Sequence, residues 1–329
     1  MRNIIFLIIL FPSLLFSETQ QIKISVLAPE GTTWMTSMRA WSKELKEKTN
    51  GKLEFKIYGG GVSGDEFDVI RKMRAGQIHA GGFTGVGLGQ ILSEIRVLEL
   101  PFLFKNYKEV DHVTASMKTH FEQEFEKKGF IFLGFGEAGF VNIYSAKPLK
   151  SQADLKASKM WAWEGDELVK TLCQTYGIVP VSLAITDVMT SLQTGLINSF
   201  YAPPLGAIAL QWFTKVKYMT RPELTNSIGA TVMTKKFYDK IPSENQKILK
   251  EVSDKYSKKV IEGIRTENEK AYETLKKNGI QFVTIPNDEL TKMQETSKKV
   301  QKALVGKLYP QKTLDQVTSL LEEYRKKNK

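Results

Sequence analysis

SENQKILKEVSDKYSKKVIEGIRTENEKAYETLKKNG, residues 243–279, is the stretch whose length decides the architecture. Ser243 and Gln246 have the spacing of a capping box. Ile248, Leu249, Val252, Tyr256, Val260, Ile264 and Tyr272 then keep a helical period. The next stop signal is Asn278-Gly279. The pattern predicts one helix over 244–277, about 34 residues or about 50 Å at 1.5 Å per residue. A helix that long exceeds one small domain and is expected to run across two as a brace. Its apolar positions hold no strict heptad, which sets aside a coiled-coil dimer.

Around this helix, short apolar strands alternate with helical segments. The expected strands are Ile22–Leu27, Leu53–Tyr58, Ile78–Phe83, Ile131–Phe135, Lys159–Trp163, Val179–Leu183 and Gln281–Ile285. Between the first two, Trp34, Met38, Trp41 and Leu45 form one helical stripe closed by Asn50-Gly51. Such alternation predicts α/β domains on parallel sheets. There is no internal repeat or low-complexity linker, so crossings between domains are short. Ser145–Pro148 is the expected crossing and Leu224–Ala230 the expected return.

The first residues read as an export signal over 1–17: Arg2, an apolar run from Ile4 to Phe16, then Ser17. That run is too short for a membrane span, which takes roughly 20 apolar residues. The apolar fraction of 42% suits a packed globular chain rather than a disordered one. The net charge of +11 comes from lysines scattered beside glutamates, with no basic–aromatic interleaving. It therefore reads as a solvated surface, not a nucleic-acid site. Cys173 is the only cysteine, so no intramolecular disulfide forms, and its apolar neighbours at helical spacing place it in a core.

No catalytic constellation assembles. The three histidines, His79, His112 and His120, have no metal-ligand spacing. The glycine-rich run from Tyr58 to Gly64 lacks a phosphate-loop ending and reads as a turn into a helix opened by Asp65 and Glu66. Glu164, Asp166 and Glu167 read as helix-opening acids. No enzyme, cofactor or metal is expected.

The segments Lys48–Leu53 and Tyr58–Gly64 resemble the "KTGGRL…P.G.LG" signature of the solute receptors of tripartite ATP-independent periplasmic (TRAP) transporters. Leu98–Phe104 resembles their "DLPFLF" element, Asp154-Leu155-Lys156 their "DLKG", and Ser191–Gly195 their "ALQTG". The resemblance implies a two-domain α/β fold, periplasmic-binding-protein type II-like, with crossing strands and a long domain-spanning helix. It implies a small-molecule ligand in the inter-domain cleft, handed to integral membrane transporter subunits. On this reading, domain I holds 20–147 and 228–250, and domain II holds 148–227 and 279–329. A lipid shuttle or sensor on the same fold, acting through a periplasmic helical-repeat lipoprotein or a signalling protein, is the alternative.

The departures concern the ligand. Where the family places the arginine of "KIR", this chain has Trp161; where it places that of "GFR", Val141, preceded by Phe140. Its "GQEN" face has become Phe200, Tyr201 and Ala202. Each change removes charge or polarity, and a carboxylate buried without a cation costs several kcal/mol. The expected ligand is therefore hydrophobic, aromatic or amphipathic rather than a dicarboxylate. The candidate wall is Trp161, Phe200, Tyr201, Val141 and Phe140, extended by Trp34, Trp163 and Trp212.

Overall fold

The computed structural model describes residues 19–328; the expected export signal lies outside them. Nine strands form among these residues: β1 (Gln20–Val26), β2 (Leu53–Tyr58), β3 (Ala80–Thr84), β4 (Phe130–Ser145), β5 (Trp161–Trp163), β6 (Val181–Leu183), β7 (Ser199–Ala202), β8 (Tyr218–Thr234) and β9 (Gln281–Thr284). The helices are α1 (Thr33–Lys48), α2 (Glu66–Arg74), α3 (Gly85–Ile91), α4 (Tyr107–Lys127), α5 (Gln152–Ala157) and α6 (Glu167–Tyr176), followed by α7 (Val188–Thr194), α8 (Pro204–Ala209), α9 (Lys235–Tyr238), α10 (Ser243–Lys277), α11 (Asn287–Leu304) and α12 (Gln311–Lys327).

The main sheet runs β2-β1-β3-β8-β4-β7 with β9 beside β8, and β5 and β6 form a separate pair. The expectation of parallel sheets holds in part: β1–β2, β1–β3, β5–β6 and β8–β9 are parallel, and it is corrected for β3–β8, β8–β4 and β4–β7, which are antiparallel. The two longest strands, β4 and β8, pair antiparallel along their whole length and bring β3 and β7 in antiparallel beside them. The sequence showed only the first third of β4 and neither β7 nor β8. Gly134, Gly136 and Gly139 interrupt the alternation of β4, and Pro222 and a polar stretch obscure β8.

β4 and β8 pair from Phe130↔Thr234 to Ser145↔Tyr218. β3 leaves β8 at Gly229, and β7 joins β4 at Asn142. Between those points, residues 137–141 and 225–228 pair only with each other, and two of the three register shifts of β4 fall there. Bulges bend a strand and increase its twist, so the sheet narrows to a bent two-stranded waist. The narrowing on β4 lies before the expected crossing at Ser145–Pro148; that on β8 lies within Leu224–Ala230.

The predicted long helix is α10, and it packs on α1, β4 and α8. It also grips the waist. Arg265 donates to Glu137 and Asp111, each at 2.7 Å. Asn268 donates to Ala138 O and accepts from Leu205 N, both at 2.9 Å. The expected capping box is absent: Pro242 is the N-cap and Ser243 is already helical. Gln246 reaches back instead to the carbonyl oxygens of Tyr238 and Ile241, at 3.0 and 2.9 Å. Of the C-terminal helices, α11 packs on α6 and α12 on α4.

Candidate functional site

A cavity of about 530 Å³ lies against the waist, whose Glu137, Val141, Thr225 and Ile228 form part of its wall. Trp34 enters it from the first turn of α1, where Thr32 caps the helix by accepting from Met35 N. The indole lies close on Gly136 of β4, where a Cβ would come within 2.7 Å of it. Only glycine leaves that space.

The opposite wall is aromatic. Trp161 and Trp163 project from the same face of β5, two residues apart. Trp161 stacks on Tyr201 of β7 at 4.9 Å and meets Trp212 edge-on at 5.4 Å. Its indole N–H donates to Leu183 O at 3.0 Å, so the ring is fixed before any ligand arrives. Trp163 N donates to the Tyr201 hydroxyl at 3.2 Å, and Trp163 Nε1 to Asp65 Oδ2 at 3.0 Å. The second bond ties β5 to the N-cap of α2 on the facing side.

Of the eight side chains expected at the site, Trp34, Val141, Trp161, Trp163, Tyr201 and Trp212 line the cavity. Phe200 and Phe140 do not. Phe200 is the alternate residue to Tyr201 on β7 and points to the other face; it is fully buried and stacked on Tyr144 at 4.9 Å. Phe140 is displaced in the same way by its neighbour Val141 and packs on Tyr107 at 4.9 Å. Lys159, at the start of the expected strand Lys159–Trp163, is exposed and donates to Gly195 O at 3.2 Å.

Charged residues in the wall escaped the sequence reading. Arg96, 4% exposed, comes from the 3₁₀ segment Ser93–Glu99. Its Nη2 donates to both oxygens of Asp166, at 3.0 and 2.9 Å. Its Nη1 lies 2.8 Å from Glu99 Oε2. Burial weakens the guanidinium's charge, but the two carboxylates more than restore it and raise its pKa. Asp166 does cap α6, accepting from Leu168 N at 3.0 Å, and the same carboxylate holds Arg96 across the cleft. The missed signal was an arginine and a glutamate three residues apart among the apolar residues Ile95, Val97, Leu98 and Leu100. A charge in such a run is buried and needs a partner.

Glu66, expected only to favour the start of α2, is buried and lines the cavity too. It accepts from Thr84 N, Thr84 Oγ1 and Gly87 N at 2.7, 2.9 and 2.7 Å. Burial pushes its pKa up to about 8 against those bonds. Burial also raises Glu99 and Glu137 despite their arginine partners. Among the described residues, Arg96 is the one cationic side chain in the cavity wall, beside four carboxylates. Cys173 lines it as well, but burial raises its thiol to about 12, which keeps it protonated and unreactive.

The family model for bacterial extracellular solute-binding protein, family 7 (DctP), matches residues 24–307. An uncharacterized protein of Haemophilus influenzae is 28% identical over 250 residues, 75% of each chain. The C4-dicarboxylate-binding periplasmic protein DctP of Rhodobacter capsulatus is 24% identical over 244 residues, 72% of each chain. Among solved structures, the sugar acid binding protein of Advenella mimigardefordensis in complex with galactonate superposes with a TM-score of 0.87 at 18% identity, covering 93% of this chain and 98% of that one. A TRAP periplasmic solute binding protein of Desulfovibrio salexigens with bound orotic acid gives 0.85 at 19%, covering 93% and 99%.

Proposed function

This chain belongs to bacterial extracellular solute-binding protein family 7, and from that premise we propose that its cleft holds a hydrophobic or amphipathic ligand with no carboxylate in it. As a member it is a small-molecule receptor of the TRAP type, which works with membrane transporter subunits and catalyses no reaction. Residues 20–147 with 228–250, and 148–227 with 279–310, are the lobes of this proposal; α12, expected in the second, packs on α4 and so joins the first. The ligand lies between Trp34 on one lobe and Trp161, Tyr201 and Trp212 on the other. The lobes close about the waist that α10 grips, and the receptor works in the periplasm after loss of its export signal.

The observation that carries the reading is the state of Arg96. Its charge is already spent on Asp166 and Glu99, and the rest of the wall offers two further carboxylates, Glu66 and Glu137, and large rings. An acid entering here finds no uncommitted cation in the wall, and an unpaired buried ion costs several kcal/mol. Apolar surface gains roughly 25 cal/mol per Å² buried, so a ligand burying about 200 Å² against the rings gains about 5 kcal/mol before ordering costs.

A second reading has one observation in its favour. Arg96 Nε and Nη1 are both buried without a hydrogen-bond partner among the described residues, Nη1 standing 2.8 Å from Glu99 Oε2 as an ion pair only, so an organic acid that displaced Asp166 would find a preformed guanidinium. The relatives with bound galactonate and orotic acid show that the fold accommodates such acids. Thermal-shift and calorimetric titration with matched pairs, a neutral alcohol against the acid of equal carbon number, separates the two. The proposal predicts that the neutral member of each pair binds and raises the melting temperature. Tighter binding of the acids supports the second reading and ends the first.

A further inference from the structure

The cavity does not stop at the aromatic wall. Its lining continues past Tyr201 to Leu155, Leu168, Leu172, Cys173, Tyr176 and Met293. These side chains belong to a different apolar cluster from Trp161 and Trp212, and Tyr201 packs against both clusters. The ring of Tyr201 thus lies between the two groups, Trp161 on one side and the residues of α5, α6 and α11 on the other. Arg96 and Asp166 line the same cavity. The inner part contains no charged side chain. Its polar groups are the protonated thiol of Cys173 and the Tyr176 hydroxyl, which bonds Met293 O at 2.6 Å and Ser297 Oγ at 2.8 Å.

We infer that this inner compartment receives the flexible alkyl tail of the ligand, whose head remains by Trp161 and the Arg96–Asp166 pair. The inference rests on the hydrophobic-ligand reading above and makes it narrower: the ligand is an amphiphile with a straight chain rather than a compact aromatic molecule. An aliphatic chain is the shape that passes beside a ring into an apolar space walled by leucine, cysteine and methionine. A rigid polycyclic ligand fills the outer part alone. The total volume of about 530 Å³ lies within the roughly 300–1,000 Å³ that small-molecule pockets occupy, so both parts together suit one molecule.

The probe is the series of straight-chain 1-alkanols from hexanol to dodecanol, titrated against the full mature chain by tryptophan fluorescence. Each added methylene that enters the compartment tightens binding roughly four-fold, so affinity climbs with chain length until the space is full. Cys173→Trp and Leu172→Phe, each checked for a native circular-dichroism spectrum and melt, fill the compartment and flatten that climb. Alcohols that bind with no dependence on length in the wild-type chain overturn the inner compartment while leaving the hydrophobic cleft intact. Wild-type steepness retained in folded Cys173→Trp or Leu172→Phe overturns it equally. Failure of every alcohol to bind, with binding of a short carboxylate, removes the hydrophobic-ligand reading and the tail compartment with it.

Discussion

Asp166→Asn converts the cleft's spent cation into an available one. In the wild-type chain, two charge-assisted bonds at 3.0 and 2.9 Å bind Arg96 to Asp166, with Glu99 as a further partner. Removing one member of a buried pair costs about 3–5 kcal/mol. Glu99 keeps the guanidinium partly compensated, and asparagine can still cap α6, so the low end, about 3 kcal/mol, is expected. At roughly 2 °C per kcal/mol for a chain of this size, the melting temperature falls by about 6 °C. In return, a ligand carboxylate now gains a charge-assisted bond of about 1.5–3 kcal/mol. Calorimetry should show affinity for octanoate rising roughly ten- to hundred-fold over wild type, with 1-octanol changed little by comparison. A folded variant whose octanoate affinity is no higher than wild type refutes the argument that Asp166 is what closes Arg96 to acids.

Gly136→Val puts side-chain atoms where the Trp34 indole lies; overpacking of this kind costs about 1–3 kcal/mol, and fluorescence titration should show ligand affinity falling about tenfold or more. Phe200→Leu and Tyr201→Leu are expected to separate: the first lowers stability by about 1–3 kcal/mol and leaves ligand affinity in place, whereas the second weakens binding, and equal binding losses in both would contradict the assignment of Phe200 to the core. Glu66 is raised from 4.5 to about 8, so between those values the folded chain keeps a proton that the unfolded chain has released, and stability falls as pH rises through that window. Glu66→Gln removes the slope, and melts at pH 5.5, 7 and 8.5 should show the wild type losing ground to the variant; a wild-type chain that gains ground instead reverses the sign. Asn268→Ala leaves Ala138 O and Leu205 N without their partner, and urea unfolding should show a loss of about 1–3 kcal/mol.

The long brace was legible because 35 residues of one helical period have no other reading. The six strands flanked by clear turns were found within two residues of their ends, since each is a short apolar or β-branched run bounded by turn residues. β4 and β8 were not, because their middle sections answer to the waist rather than to a local pattern. Gly136 is glycine to admit Trp34, and Glu137 is charged to meet Arg265 128 residues away. At the site, Trp161, Tyr201 and Val141 were reached through the positions where an arginine or polar group is missing. Phe200 and Phe140 failed because side chains alternate along a strand: Phe200 turns to Tyr144 and Phe140 to Tyr107. The Arg96–Asp166 pair was not legible as a pair, because its two halves lie 70 residues apart and each has a plausible local role. Only the charge inside Ile91–Leu100 hinted that something across the cleft must answer it.

The most direct test is a crystal structure of the protein purified from its own host with whatever it carries. The account predicts an apolar group lying against Trp161, Tyr201 and Trp212, a chain continuing past Tyr201 toward Cys173, and Arg96 still held by both oxygens of Asp166. A compact acid with its carboxylate on the Arg96 guanidinium, and Asp166 turned away, contradicts it.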